Sequence, residues 1–211
     1  MKTVAPTDKV SHGADTSWQI VTERVYDNPF TDVPEDSFCF EPIMELLDMG
    51  IVSGTSATTF NPERTLTRAE WVTMLWRASG SPAATASAGF TDVKSTDFFA
   101  PAFDWAFEQG IVAGVGDGKA APAMLLTREQ MVTMLYRLSK DEISDEDLKV
   151  LDTYADQESV SEYARVPMAW AIKNGIVNGV GKNKLNPQGL ATRAQAAKVV
   201  YLFAELIKTE E

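Results

Sequence analysis

The chain has 211 residues, of which 45% are hydrophobic and 23% charged, and its formal net charge is −11. This composition is typical of a globular protein long enough to bury a core, and it excludes a disordered or fibrous chain. The negative charge argues against general binding to nucleic acid or to an anionic membrane surface, and there is no run of about 20 apolar residues for membrane insertion.

Residues 1–27 are predicted to form an N-terminal extension of unknown role. The first 15 residues contain two lysines but no continuous apolar core, so we expect no signal peptide there. Four apolar residues predict a short strand or helix that packs on the following unit: Trp18, Ile20, Val21 and Val25. The single cysteine, Cys39, rules out an intramolecular disulfide and is expected to be a small buried hydrophobe.

Three copies of one unit follow this extension. Phe-Thr-Asp-Val begins at Phe30 and again at Phe90, and a weaker Tyr-Ala-Asp begins at Tyr154. A Gly-Ile-Val follows each opening, and 17 residues after each of those glycines comes Thr-Arg-Ala-Glu or a close variant. A constant interval repeated three times predicts three repeats, which we place at residues 28–80, 88–140 and 152–208.

Each repeat is predicted to contain a first helix that ends at the glycine. Counting back from it, positions −7, −4 and −3 share one helix face, and all nine residues there are apolar: Ile43, Leu46, Leu47, Phe103, Ala106, Phe107, Met168, Ala171 and Ile172. The glycine is expected to end the helix in a left-handed conformation. The Ile-Val that follows is expected to be buried.

The second helix of each repeat is predicted to begin at the threonine, after a loop rich in glycine and proline. Threonine followed three residues later by Glu or Gln is the pattern of a capping box. The pairs are Thr67 with Glu70, Thr127 with Gln130, and Thr192 with Gln195. An apolar stripe at positions +5 and +8 from the threonine supports the helix.

Two segments separate the repeats. Residues 80–89 are rich in glycine, alanine and serine and predict a flexible linker. The acidic stretch 141–152 contains Ser144 followed by Asp147, which indicates an extra helical turn.

An arginine occupies the first helical position in all three repeats: Arg68, Arg128 and Arg193. A cation there opposes the helix dipole and costs about 0.3–1 kcal/mol. Two explanations stay open. Each arginine forms an ion pair with an acid such as Asp32, Asp92 or Asp156 from an adjoining repeat, or each completes an anion site beside free backbone N–H groups. The two explanations are compatible, because the acid can orient the arginine.

The ordered motifs resemble those of the surface-layer homology (SLH) domain in three tandem copies. They are Phe-Thr-Asp-Val, an aromatic residue twelve positions before the glycine, Gly-Ile-Val-x-Gly, a loop ending in Asn-Pro or Ala-Pro, and Thr-Arg-Ala-Glu. The resemblance covers about residues 28–208. It implies a mainly α fold, with the three helix-loop-helix repeats packed as a pseudo-threefold, three-pronged helical spindle.

The resemblance also implies a function and a site. SLH triplets bind secondary cell-wall polymers, typically through ketal-linked pyruvate on N-acetylmannosamine, in grooves between neighbouring repeats. The motif arginine contacts the pyruvate carboxylate, and the loop glycines and opening aspartates contribute. Carried onto this chain, the ligand-binding residues are Arg68, Arg128, Arg193, Gly54, Gly114, Gly179, Asp32, Asp92 and Asp156.

This chain departs from the family pattern in three places. The usual first-helix tryptophan is replaced by Phe38, Phe98 and Tyr163, which either stack on a sugar or pack in the core. The second loop lacks the aromatic that Phe60 supplies in the first. The third opening lacks its valine, so we do not expect three equal grooves.

The leading hypothesis is therefore a non-catalytic anchor of a surface or S-layer protein, placed outside the cell at the bacterial wall. Its expected partners are a pyruvylated wall polysaccharide and other surface-layer proteins, without cofactor or metal. The alternative is a structural assembly domain whose arginines only tie repeats together. An enzyme is not expected, because no pair of carboxylates is set apart by spacing and no nucleophile, phosphate-loop or zinc motif is present. The Gly116-Asp-Gly118 loop lacks the alternating oxygen ligands of a calcium site.

Overall fold

The computed structural model describes the backbone of residues 7–12, 18–23 and 25–210 and the side chains of residues 25–208. The chain forms two compact units, residues 1–60 and 61–211. The boundary falls inside the loop of the first repeat, so these units differ from the predicted repeats, whose limits stay a prediction. The expectation about a signal peptide falls partly on residues outside the described ranges.

The first unit begins with an antiparallel hairpin of β1 (Thr7–His12) and β2 (Trp18–Glu23). Thr7 lies opposite Glu23, and His12 lies opposite Trp18. The extension therefore contains strands rather than a helix. The predicted packing of its apolar side chains lies outside the described residues, except at Val25, which is exposed.

The helix of the first unit is α1 (Phe40–Asp48). Tyr26 packs edge-on against Phe40 and donates a hydrogen bond to Glu45 at 2.6 Å. The core beneath α1 is formed by fully or almost fully buried side chains: Phe30, Val33, Cys39, Ile43, Leu46, Ile51 and Phe60. The prediction that Cys39 is buried is confirmed.

The second unit contains the remaining helices. These are α2 (Arg68–Ala78), α3 (Ala100–Glu108), α4 (Arg128–Ser139), α5 (Arg165–Lys173) and α6 (Arg193–Glu210). Three short 3₁₀ helices, at Asp147–Thr153, Gln157–Ser159 and Glu162–Ala164, precede α5. The mainly helical fold built on three repeats is confirmed. None of the helices described is long and apolar enough to cross a membrane.

The first helix of each repeat ends as predicted, at a glycine in the left-handed region. Gly50 has φ of 71°, and its N–H donates to Leu47 while the N–H of Ile51 donates to Leu46. These two hydrogen bonds define a Schellman motif. Gly110 and Gly175 repeat it, and the Ile-Val pairs that follow are all buried.

The predicted apolar faces are correct except at one position. Positions −7 and −4 are fully buried in all three repeats, as are +5 and +8 of the second helices. Position −3 is different, because Leu47 and Ile172 are half-buried and Phe107 is 46% exposed. Position −3 lies in the last turn of a nine-residue helix, shortly before the capping glycine. The chain turns away there, so this side chain is left partly exposed.

The segments between repeats are held by hydrogen bonds. In residues 80–89, Pro82 accepts from the indole of Trp76 and Ala88 donates to Asp104, both at 2.8 Å. This stretch is therefore bound to α2 and α3, and the prediction of a flexible linker is wrong. The turn predicted at Ser144 is present, since both its N–H and its hydroxyl donate to Asp147 at 2.9 Å.

Three buried residues close a ring of backbone hydrogen bonds in the second unit. Leu66 donates to Ala191 at 2.9 Å, Ala191 donates to Leu126 at 2.9 Å, and Leu126 donates to Leu66 at 3.1 Å. Each residue stands two positions before the arginine of its repeat. The ring therefore brings the starts of α2, α4 and α6 together. The three-pronged spindle itself stays a prediction.

The residue before the loop proline adopts positive φ in every repeat: 58° at Asn61, 52° at Ala121 and 49° at Asn186. Asparagine tolerates this conformation better than alanine. We expect Ala121→Asn to raise the free energy of unfolding by about 0.5–1 kcal/mol. Asn186→Ala should lower it, and urea unfolding checks both. Equal stabilities of the alanine and asparagine variants would contradict the strain at Ala121.

Candidate functional site

The threonines cap the starts of the second helices. Thr67 accepts a hydrogen bond from the N–H of Glu70, and Glu70 accepts one from the N–H of Thr67. Thr127 with Gln130 and Thr192 with Gln195 make the same reciprocal pair. The third amide of each helix is thus satisfied locally.

The first two amides of each helix are also occupied, by carbonyls of another repeat's loop. In α2, Arg68 donates to Met124 at 2.8 Å and Ala69 donates to Pro122 at 2.9 Å. The start of α4 binds the loop of repeat 3 and the start of α6 binds residues 62–64 in the same way. The free N–H groups expected at these helix starts are therefore absent, because protein carbonyls already fill the place of an anion.

We name each such contact a junction, after its arginine. The Arg68 junction joins the start of α2 to the loop of repeat 2. The Arg128 junction joins the start of α4 to the loop of repeat 3. The Arg193 junction joins the start of α6 to residues 62–64. The three arginines are all buried, with 6%, 7% and 6% of their surface exposed in chain order.

Arg68 has no partner for its charge in the part of the chain that the structure describes. Its Nε is fully buried without a hydrogen-bond acceptor, and among the described residues its guanidinium makes neither a hydrogen bond nor an ion pair. Burial lowers the pKa of Arg68, and the positive charge of Arg137 lowers it further. The group stays charged at neutral pH, so this junction contains an uncompensated buried cation.

Arg128 is better satisfied. Its Nε donates to the carbonyl of Leu185 at 3.0 Å. Burial lowers the pKa of Arg128, whereas the nearby carboxylate of Asp156 acts in the opposite direction. The two side chains nevertheless make no ion pair, so Asp156 only partly compensates the charge.

Arg193 has an acid partner inside the protein. Its guanidinium lies 3.3 Å from the carboxylate of Glu70, which also binds Arg64. Burial alone would raise the pKa of Glu70, but the hydrogen bonds from Arg64 and Thr67 hold it below its usual range. One of the three arginines therefore forms the kind of internal ion pair that the sequence left open.

The opening aspartates organise the loops of their own repeats. Asp92 accepts from the N–H groups of Ala120 and Ala121, both at 2.8 Å. Asp156 accepts from Leu185 and Asn186 at the same distance, and Asp32 accepts from Phe60. No cluster of three or more His, Cys, Asp or Glu in the described residues is placed to hold a metal ion.

The loop glycines are required by close packing. A Cβ on Gly54 would lie 2.4 Å from the carbonyl oxygen of Ser56 and 2.6 Å from the ring of Phe30. On Gly114 it would lie 2.8 Å from the carbonyl of Lys119, and Gly179 is equally crowded. These contacts explain the aspartates and glycines as structural residues. Their part in ligand binding stays a prediction.

The aromatic residues that replace the family's tryptophan are on the surface. Phe38, Phe98 and Tyr163 are 60%, 66% and 52% exposed. Packing in the core is thus the wrong explanation for them. Tyr163 also reaches the Arg128 junction, where its hydroxyl donates to Glu129 at 2.9 Å.

Glu129 is the functional candidate that sequence reasoning missed. It follows Arg128 directly, is only 2% exposed, and accepts hydrogen bonds from three residues of repeat 3: Ser161, Tyr163 and Gln188. Burial alone would raise the pKa of Glu129, but these hydrogen bonds hold it below its usual range. The available signal was the motif itself, since repeats 1 and 3 have Ala69 and Ala194 at this position.

Comparison with known families identifies the repeats. The model of the S-layer homology domain matches residues 29–70, 89–132 and 153–197. The chain therefore belongs to the S-layer homology domain family, and it contains three copies of that domain.

Its relatives are much longer proteins. The chain is 38% identical over 183 residues to Amylopullulanase of Thermoanaerobacterium thermosulfurigenes, a match that covers 85% of the chain and 10% of that protein. It is 34% identical to Endoglucanase of Bacillus sp. (strain KSM-635), over 82% of the chain and 18% of the relative. It is 32% identical to Surface-layer 125 kDa protein of Lysinibacillus sphaericus, over 75% of the chain and 13% of the relative. The chain spans less than a fifth of each relative's length.

The unpaired charge of Arg68 predicts an unusual stability effect. We expect Arg68→Met to raise the free energy of unfolding by about 1 kcal/mol, because it replaces a buried unpaired cation with an apolar chain of similar length. Arg128→Met should lower it by about 1 kcal/mol, since the hydrogen bond to Leu185 is lost. Urea unfolding measures the free energy of unfolding of both variants. A loss of stability in both would contradict the conclusion that the charge of Arg68 is unpaired.

The contact between Glu129 and Tyr163 predicts a shift in tyrosine ionisation. Partial desolvation of this half-exposed side chain, together with the hydrogen bond to Glu129, raises the pKa of Tyr163 to about 12. Glu129→Gln should move it back toward 10, because the negative charge that opposes the tyrosinate is gone. The absorbance of tyrosinate in an alkaline titration reports the change, and Tyr163→Phe identifies its contribution. An unchanged titration would show that the carboxylate does not face this hydroxyl.

Proposed function

We propose that this chain is a non-catalytic binding module that anchors a surface or S-layer protein to the bacterial cell wall. Its ligand is a secondary cell-wall polymer that carries pyruvyl carboxylates. Binding occurs at the junctions between repeats, where the motif arginines meet the carboxylate. The chain catalyses no reaction in this role, and it acts outside the cell.

The observation that carries the proposal is the unpaired guanidinium of Arg68. A buried charge without a partner costs free energy, and proteins keep such a group where a ligand compensates it. A planar carboxylate matches the two parallel N–H groups of a guanidinium. A pyruvyl group presents that carboxylate on a sugar.

The relatives support an anchoring role that is independent of chemistry. The same region occurs in proteins named as an amylopullulanase and an endoglucanase, and in proteins named as a surface-layer protein and a middle cell wall protein. Since these names denote different activities, the shared region serves something that they have in common. Attachment to the wall is such a role, and it makes other surface-layer proteins natural neighbours.

The exposed aromatics add a second element of recognition. Phe98 presents most of its ring to solvent and packs edge-on against Phe99, with ring centres 5.0 Å apart. Aromatic faces of this kind suit the apolar face of a sugar ring. An acidic chain can then bind an acidic polymer, because local contacts are screened less than the overall field.

A structural role is the second candidate, and a specific contact favours it. The ion pair between Arg193 and Glu70 lies inside the protein and needs no ligand. If all three arginines acted in this way, the repeats would only assemble with each other. The unpaired state of Arg68 argues against this for at least one junction.

A matched pair of ligands tests the proposed function. The chain should bind purified wall polymer from a bacterium with pyruvylated polysaccharide. Removal of the pyruvyl ketals by mild acid should weaken binding by about tenfold to a hundredfold, as expected for loss of a charge-assisted hydrogen-bond pair. Isothermal titration calorimetry measures both affinities. Equal binding of the treated and untreated polymers, or no binding at all, would contradict the proposal.

A further inference from the structure

The three helix starts differ in the residue after the arginine. That residue is Ala69 at the Arg68 junction and Ala194 at the Arg193 junction, but it is Glu129 at the Arg128 junction. All three are buried, at 4%, 0% and 2% exposure. A carboxylate is rarely buried without a reason, so this difference calls for one.

The carboxylate of Glu129 takes up the donors on the opposite side of its junction. Ser161 donates from its N–H at 3.0 Å and from its hydroxyl at 2.7 Å. Tyr163 donates at 2.9 Å, and the amide of Gln188 donates at 2.8 Å. The amide of Gln188 also donates to Ser159 and to the hydroxyl of Ser161. Without Glu129, the two donors of Ser161 and the hydroxyl of Tyr163 would be left for other acceptors, such as the hydroxyl or carboxylate groups of a glycan.

The Arg68 junction has the same backbone contacts but none of these side chains. The backbone N–H groups of Arg68 and Ala69 donate to carbonyls in the loop of repeat 2. Those of Arg128 and Glu129 donate in the same way to the loop of repeat 3. By the interval of 65 residues that relates the two repeats, Ser161, Tyr163 and Gln188 correspond to Thr96, Phe98 and Ala123. The residue directly after Arg68 is Ala69 rather than an acid, and the carboxylate of Glu70, the next residue, is bound by Thr67, Arg64 and Arg193. Two of the three corresponding side chains, Phe98 and Ala123, lack a donor.

The three arginines also differ in the partners that they have inside the protein. Arg128 donates to Leu185 and lies near the charge of Asp156, whereas Arg68 has no acceptor among the described residues. Arg193 already faces Glu70. The Arg68 junction thus contains a buried unpaired cation, and the position that corresponds to Tyr163 is the exposed ring of Phe98. The Arg128 junction contains a hydrogen-bonded cation and, beside it, an internal anion.

We infer that Glu129 is a specificity-determining residue that closes the Arg128 junction to anionic glycan, and that the Arg68 junction is the single pyruvyl-binding site of this chain. The inference rests on the proposed function and refines it. Glu129 acts in two ways, because its charge repels a ligand carboxylate and its hydrogen bonds occupy the donors that a sugar needs.

Calorimetric titration of the full chain with pyruvylated N-acetylmannosamine tests the inference. The wild-type chain should bind one equivalent, and Arg68→Gln should weaken binding by roughly tenfold or more. Glu129→Ala should add a second site, which the double variant E129A/R128Q should lose again. Glu129→Gln keeps the size of the side chain and removes its charge, so it should restore part of the gain if E129A is unstable.

The reciprocal exchange provides a matched control. Ala69→Glu with Ala123→Gln installs at the Arg68 junction the acid and the amide that the Arg128 junction contains. Arg68 itself stays in place, yet binding should be lost. Melting temperatures of all variants show whether each one folds.

The possible outcomes separate the inference from the proposed function. Retained binding in Arg68→Gln or in A69E/A123Q, or one equivalent in both Glu129 variants, would overturn the inference and leave the proposed function intact. Failure of the wild-type chain to bind either this sugar or the purified polymer would overturn the proposed function, and the inference with it.

Discussion

The ring of hydrogen bonds through Leu66, Leu126 and Ala191 is the constraint on which the candidate site depends. It joins residues that are 60, 65 and 125 positions apart in the chain, and it sets the starts of three helices against loops from other repeats. Buried amides must find acceptors, and here the acceptors come from a different repeat each time. The arginine that follows is thereby buried at a boundary between repeats, whether or not it has a partner there.

The sequence predicted what is local. The glycine caps, the capping boxes and the apolar stripes each depend on residues within one or two turns of helix, so their spacing was sufficient. The prediction that Phe107, at position −3, is buried was wrong, because helix periodicity does not say where a short helix loses contact with the core. The free helix-start amides were also wrong, since their acceptors lie in loops that no local pattern connects to them.

The positions of the candidate-site residues were predictable from the sequence, but the partners of each arginine were not. The motif located Arg68, Arg128 and Arg193, and all three are buried at equivalent places. Which of them has a partner depends on Glu70, Leu185 and Asp156, and those contacts cross between repeats. Glu129 was visible as a change in the motif, but its meaning required the hydrogen bonds from Ser161, Tyr163 and Gln188.

The cyclic exchange of amides and carbonyls also makes the starts of the second helices depend on one another. A single repeat cut from the chain would expose the donors at its own helix start and the acceptors in its own loop, and water would have to replace both partners. Its Leu66, Leu126 or Ala191 would lose the neighbours that bury it. In this chain, the second helix of each repeat thus takes backbone partners from the other two repeats.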